Sequence, residues 1–202
     1  MTSTPSRKFS ASIERWPIAG SFTISRGAKT EAVTVVATVT EGDDTGRGEC
    51  VPYPRYGETP EATLAALQAM QEAVAGGLDR HALQAAMPAG AARNALDCAL
   101  LDLEAKRRGQ RIWTVLGRPA PRPCTTAYTI SLGTPKAMAT ATAKAKHRPL
   151  LKIKLGGDGD GERISAVRRA QGCTRRGSTA TGSSCRMTRS TSRTGCSRIC
   201  RN

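Results

Sequence analysis

Apolar and polar residues alternate along EAVTVVATVTEG, residues 31–42, which places Val33, Val35, Ala37 and Val39 on one face and Thr34, Thr38 and Thr40 on the other. A period of two predicts a half-buried strand, and EGDDTG, residues 41–46, reads as the turn that ends it. The flanking stretches KFSASIERW (8–16) and GRGECVPYP (46–54) read as neighbouring strands. Links this short make an antiparallel meander the economical arrangement. The period then changes. Thr59 is placed to cap a helix with Pro60 at its first position, and Leu64, Leu67, Met70 and Val74 recur at helical spacing until Gly76-Gly77. A second helix is predicted in AARNALDCALLDLEAKRRG (91–109). Its stripe is Ala92, Leu96, Ala99, Leu100 and Leu103, and its cationic last turn complements the helix dipole.

From Cys124 onward the pattern reads strand, helix, strand: CTTAYTISLG (124–133), TPKAMATATAKAKH (134–147) and LLKIKLGG (150–157), with GERISAVRRA (161–170) opening another helix. This is the grammar of a parallel βα repeat. Period two sends Lys152 and Lys154 to one face of the second strand and Leu151, Ile153 and Leu155 to the other. On an antiparallel sheet with one wet face such lysines are ordinary. In a parallel barrel the apolar face packs on helices, so the lysines point inward near the strand's C-terminal end, where barrel active sites are built. Two ammonium groups roughly 7 Å apart disfavour each other's charge, which lowers the pKa of at least one and makes it a base near neutral pH. Taking a proton from carbon beside a carboxylate also calls for stabilisation of the enediolate, for which a divalent metal is the usual means.

Composition bounds the rest. The 202 residues and 21.3 kDa allow one large domain, or a small domain and part of another. No stretch is apolar for long enough to cross a bilayer, and MTSTPSRKFS at the start lacks the apolar core of a secretory signal, so the expected compartment is the cytoplasm. Cys50, Cys98 and Cys124 stand singly and read as ordinary reduced core residues. The net charge of +15 divides into +7 from residues 171–202, which hold seven arginines and no acid, and +8 spread over the other 170. With only 3 % aromatic residues to stack on bases, neither a specific nucleic acid nor a membrane is expected as a partner. Arg, Ser, Thr, Gly and Cys fill 27 of the last 32 positions, a composition that cannot offset its ordering entropy. Residues 171–202 are therefore expected to be disordered, and their composition is that of GC-rich coding sequence read out of frame. Their cysteines lack the two-residue spacing of a zinc site.

WPIAGSFTISRG, GRGECVPYPRYGET, PAGAARNALDCALLDLEAKRRG, TAYTISLGTP and LLKIKLGG, in this order and spacing between about Phe9 and Ala170, resemble the enolase superfamily, in its mandelate racemase and muconate-lactonising branch. Within that branch they resemble the dipeptide epimerases that act on L-Ala-D/L-Glu. The resemblance implies an α+β capping domain, an antiparallel sheet plus helices, over residues 1–122. It implies the first βα units of an incomplete (β/α) TIM-type barrel over 123–170. It also implies that Lys154 is the base on one face of the substrate α-carbon, that Lys152 tunes it, and that Thr129 contacts substrate. FTISRGAK (22–29) resembles the mobile specificity loop, where Arg26 or Lys29 pairs with the substrate carboxylate, and PYPRYGE (52–58) a second capping loop that brings Tyr56 near the site.

Mg²⁺ is the implied cofactor, a dipeptide the implied substrate, and a homo-oligomer the assembly open to the intact family member. The Asp-x-Asn ligand strand, the later Glu and Asp ligands and the opposite-face Lys of the family have no counterpart in this chain, which is expected to be C-terminally truncated and inactive as written. GGDGDGE (156–162) has the wrong glycine and acid spacing for a calcium loop and reads as a plain βα turn. Two other readings stay open: another enzyme of the subgroup, a cycloisomerase or N-acylamino acid racemase, and a non-enzymatic fragment that binds partners through its basic tail.

Overall fold

The computed structural model describes residues 7–24, 27–172, 186–192 and 195–201, the last two spans as backbone. The chain divides into two compact units, residues 1–17 with 31–122 and residues 18–30 with 123–202.

β1 (Lys8–Ile24), β2 (Gly27–Glu41) and β3 (Asp44–Cys50) form a three-stranded sheet in the order β1-β2-β3; residues 18–30 of its first two strands belong to the second unit and the rest to the first. β2 and β3 run antiparallel from Val35↔Cys50 to Glu41↔Asp44, so the turn is only Gly42-Asp43. Val35, Ala37 and Val39 have no exposed surface, as their alternation predicts. Val36 and Thr34 on the opposite face are buried too, so the centre of β2 is covered on both sides. A middle strand, shielded by neighbours, departs here from the half-buried pattern that periodicity suggests.

Five helices follow: α1 (Pro60–Gln68), α2 (Gln71–Ala75), α3 (Arg80–Ala86), α4 (Ala91–Arg107) and α5 (Ile112–Val115). Thr59 caps α1 by accepting from the Ala62 amide at 3.1 Å. The helix expected to run on to Val74 is instead two, broken at Ala69-Met70, and Leu67 and Val74 are each buried from a separate helix. α3 escaped the periodicity; its signal is Asp79, which accepts from the Ala82 amide at 2.7 Å. Cys50 is buried, and burial raises its thiol pKa to about 11, but Cys98 and Cys124 are exposed rather than core. Cys98 falls off the α4 stripe, and Cys124 sits in the irregular segment before β4.

α4 is the organising helix of this unit. Leu96, Ala99, Leu100 and Leu103 are buried along its stripe. It meets β3 backbone to backbone, because Gly46 and Gly48 leave no side chain between them. A Cβ at Gly46 would fall on the Ala99 carbonyl and 2.5 Å from the Leu103 nitrogen; at Gly48 it would fall on the Ala95 carbonyl and 2.6 Å from the Ala99 nitrogen. β3 is an edge strand whose outward backbone groups need partners. α4 supplies them: Asp102 accepts from the Arg47 amide at 2.9 Å, Asn94 donates to the Glu49 carbonyl at 3.3 Å, and Lys106 donates to the Thr45 carbonyl at 2.6 Å. At the end of β2 the buried Glu41 carboxylate lies between Arg7 at 2.5 Å and Arg107 at 2.6 Å, an arrangement that neutralises it.

In the second unit, β4 (Tyr128–Ile130), α6 (Pro135–Lys144), β5 (Leu150–Lys154) and α7 (Asp160–Ala170) form two βα units, with β4 and β5 parallel. Ile130, Leu151 and Ile153 pack with Met138 of α6 and Val167 of α7 in one buried cluster. β4 keeps three of the ten residues expected to be strand. β6 (Arg186–Ser192) and β7 (Gly195–Arg201) complete a sheet of order β4-β5-β7-β6, with β7 antiparallel to β5 from Leu150↔Arg201 to Lys154↔Ser197. This differs from the disorder expected across 171–202; residues 173–185 lie outside the described residues. Strand pairing draws on backbone groups, and the edge of β5 offers a row of them whatever the apolar content of its partner.

The glycine contacts carry a test. Gly48→Ala sets a methyl against helix backbone that cannot rotate away, so urea denaturation followed by circular dichroism should show a loss of about 3 kcal/mol or more. An unchanged midpoint would contradict the close packing of α4 on β3.

Candidate active site

The lysine face of β5 is set by what the other face buries. Leu151 and Ile153 are 1 % and 0 % exposed against α6 and α7, so Lys152 and Lys154 project from the opposite face, both half-buried. Thr129 of β4 pairs in register with Lys152 and shares that face, about 4.8 Å across the sheet. The structure therefore brings three of the expected site residues together at the C-terminal ends of parallel strands.

A fourth group joins them that sequence reasoning missed. Phe22, on the last turn-ward stretch of β1, presents its ring to Lys154, with Nζ 5.9 Å from the ring centroid. Attraction between an ammonium and a ring face is worth on the order of 0.5–1 kcal/mol where exposed. The backbone beside it is tied down, because the Leu132 amide after β4 donates to the Thr23 carbonyl at 3.2 Å.

The loop after β5 is braced from within. Asp160 accepts from the amides of Gly156 at 3.1 Å and Gly157 at 2.9 Å, and from Arg163 at 3.0 Å. Arg163 also donates through Nε to the Gly133 carbonyl at 3.0 Å, which joins the loop after β5 to the loop after β4. Burial alone would raise the Asp160 pKa; the two amides and Arg163 outweigh it and hold the carboxyl below its usual 3.8.

The remaining expected residues are placed separately. Lys29 is exposed on β2 within the second unit, and Arg26 lies outside the described residues. Tyr56 belongs to the first unit, 72 % exposed, its ring 6.0 Å from that of Tyr53. The loop that carries it is fixed by Glu58, which accepts from the Tyr53 amide at 3.1 Å and from the Ala91 amide at 2.7 Å. That carboxylate sits at the N-terminus of α4, where the dipole favours it. The available signal was Gly90, which leaves α4 without a capping side chain of its own.

Among the described residues no three His, Cys, Asp or Glu side chains cluster where they could hold an ion, and the Asp160 carboxylate is taken up by amides and a guanidinium. These residues do not fit Mg²⁺. Among the described residues no helix is long and apolar enough to cross a membrane.

An antiparallel sheet covered by helices, followed by βα units with paired lysines near a strand's C-terminal end, has the architecture of enolase-superfamily enzymes. The chain belongs to the mandelate racemase / muconate lactonizing enzyme family, whose N-terminal domain matches residues 8–117, more than half of its length. It is 45 % identical over 126 residues to the L-Ala-D/L-Glu epimerase of Escherichia coli (strain K12), covering 62 % of this chain and 39 % of that one. It is 34 % identical over 106 residues to an N-acetyl-D-glutamate racemase of a Pseudoalteromonas species, covering 52 % of this chain and 33 % of the relative. Among solved structures it resembles an enolase family member from Agrobacterium tumefaciens with homology to dipeptide epimerases, crystallised with sodium and L-Ala-L-Glu. The TM-score is 0.77 and the identity 55 %, over 84 % of this chain and 52 % of that one. The chain thus spans less than two thirds of the relatives it matches.

The brace around Asp160 has a pH signature. Its folded pKa lies below 3.8, so its contribution to loop stability is present above that value and is lost as pH falls through the folded pKa. Amide exchange at Gly156 and Gly157 should accelerate, beyond the intrinsic pH trend, only below the ordinary carboxylate range, and Asp160→Asn should abolish that acid-dependent step. An unchanged acid limb in the variant would contradict the assignment.

Proposed function

We propose that this chain carries one half of the proton-transfer machinery of a dipeptide epimerase of the L-Ala-D/L-Glu type, and that its βα units are the opening of a (β/α) barrel. The observation that carries the reading is the pair Lys152 and Lys154 held half-buried on the face of β5 opposite its helix-covered core, in a chain 45 % identical to such an epimerase over 126 residues. Lys154 takes the α-proton of the dipeptide's C-terminal residue onto Nζ, and returns it from the same face. Lys152 is its neighbour on that face and the residue proposed to tune it. Thr129 contacts substrate beside them. Arg26 or Lys29 pairs with the substrate carboxylate, and Tyr56 is the substrate-contact candidate of the second capping loop.

Mg²⁺ would supply enediolate stabilisation in a complete enzyme of this type, but the donors among the described residues do not fit it. A lysine on the opposite face of the substrate is likewise not supplied by the residues matched to the family. On this reading Lys154 and Lys152 do not suffice for turnover. A second reading, an N-acylamino acid racemase, draws on the 34 % identity to N-acetyl-D-glutamate racemase. It uses the same lysines with a different acyl group in the capping loops.

The chain added to L-Ala-L-Glu with Mg²⁺ in D₂O should leave the α-proton signal unchanged by proton NMR. Exchange of that proton, lost in Lys154→Ala, would show the chain to be active by itself.

A further inference from the structure

Lys154 reaches its place through four rotatable bonds, and a proton can be taken from carbon only if the amine is aimed. The second unit holds a device that aims it. The Phe22 ring lies 5.9 Å from Nζ, and the next residue, Thr23, receives the Leu132 amide at 3.2 Å. Leu132 in turn lies against Gly156, where a Cβ would come 2.8 Å from its Cδ2. Gly156 is two residues beyond Lys154. The end of β1, the end of β4 and the end of β5 are thus locked through consecutive contacts, and the ring is held at a fixed place over the amine. A ring face attracts an ammonium through its quadrupole, so the contact favours one placement of the amine.

We infer that Phe22 is a positioning residue for Lys154, so that the N-terminal segment expected to read the substrate's carboxylate also aims the base. This rests on the proton-transfer reading of Lys154, yet its test does not.

The test uses the full chain with its lysines reductively dimethylated with ¹³C-formaldehyde, and the Lys154 methyl resonance assigned with Lys154→Arg. The expected result is an upfield ring-current shift of that resonance in the parent, lost in Phe22→Leu and retained in Phe22→Trp. Protection of the Leu132 amide from exchange should be unchanged in both variants. An unshifted Lys154 resonance in the parent, or a shift that survives Phe22→Leu, would overturn the inference. So would loss of Leu132 protection in Phe22→Leu, because the ring would then serve to dock the segment rather than to aim the amine. None of these failures bears on the α-proton exchange experiment, whose outcome depends on the chemistry of Lys154 and not on its contact with a ring.

Discussion

The burial of Leu151 and Ile153 between β5 and the helices α6 and α7 decides what this protein can present to a substrate. Each side chain withdrawn from water contributes roughly 1.5–3 kcal/mol. A shift of register by one residue would forfeit both and drive two ammonium groups into the helix interface, at a cost of several kcal/mol apiece. The two apolar residues therefore fix the lysines on the opposite face. Thr129 follows for the same reason, because Ile130 beside it is buried in the same cluster.

The first unit solves a different problem, how to finish a three-stranded sheet at its edge. α4 lies against β3 at Gly46 and Gly48 and bonds the outward backbone of Thr45, Arg47 and Glu49 with its own Lys106, Asp102 and Asn94. Glycine at alternate positions and polar helix side chains at the intervening ones form a single arrangement, since the helix must come close before those side chains can reach. Its N-terminus is then held by Glu58, which carries the Tyr56 loop with it. The edge of β5 is met in another manner, by the antiparallel hairpin of β6 and β7.

Where one residue type decides the outcome locally, the sequence was legible. Alternation in β2 and β5, the Thr59 cap and the apolar stripe of α4 all follow from periodicity or one hydrogen bond. Features that depend on a partner distant in sequence were hidden. Leu64, Leu67, Met70 and Val74 keep helical spacing across a break at Ala69-Met70 that periodicity does not register. GRGEC reads as a neighbouring strand, but its glycines are explained only by a helix more than forty residues later. The basic tail is poor in apolar residues, yet its strands draw on the backbone of β5, which composition does not reveal. Phe22 sits in a stretch marked for substrate recognition, and only the folded chain brings its ring to Lys154.

The most direct test of the lysine assignment is a chimera in which residues 124–170 replace the matching segment of the Escherichia coli L-Ala-D/L-Glu epimerase, assayed for solvent deuterium uptake with each epimer of the dipeptide. The account predicts that the chimera exchanges both epimers, and that Lys154→Ala in it abolishes uptake from one while the other, served by the lysine of the opposite face, still exchanges. Loss of neither, with full epimerisation retained, would contradict the placement of the base at Lys154.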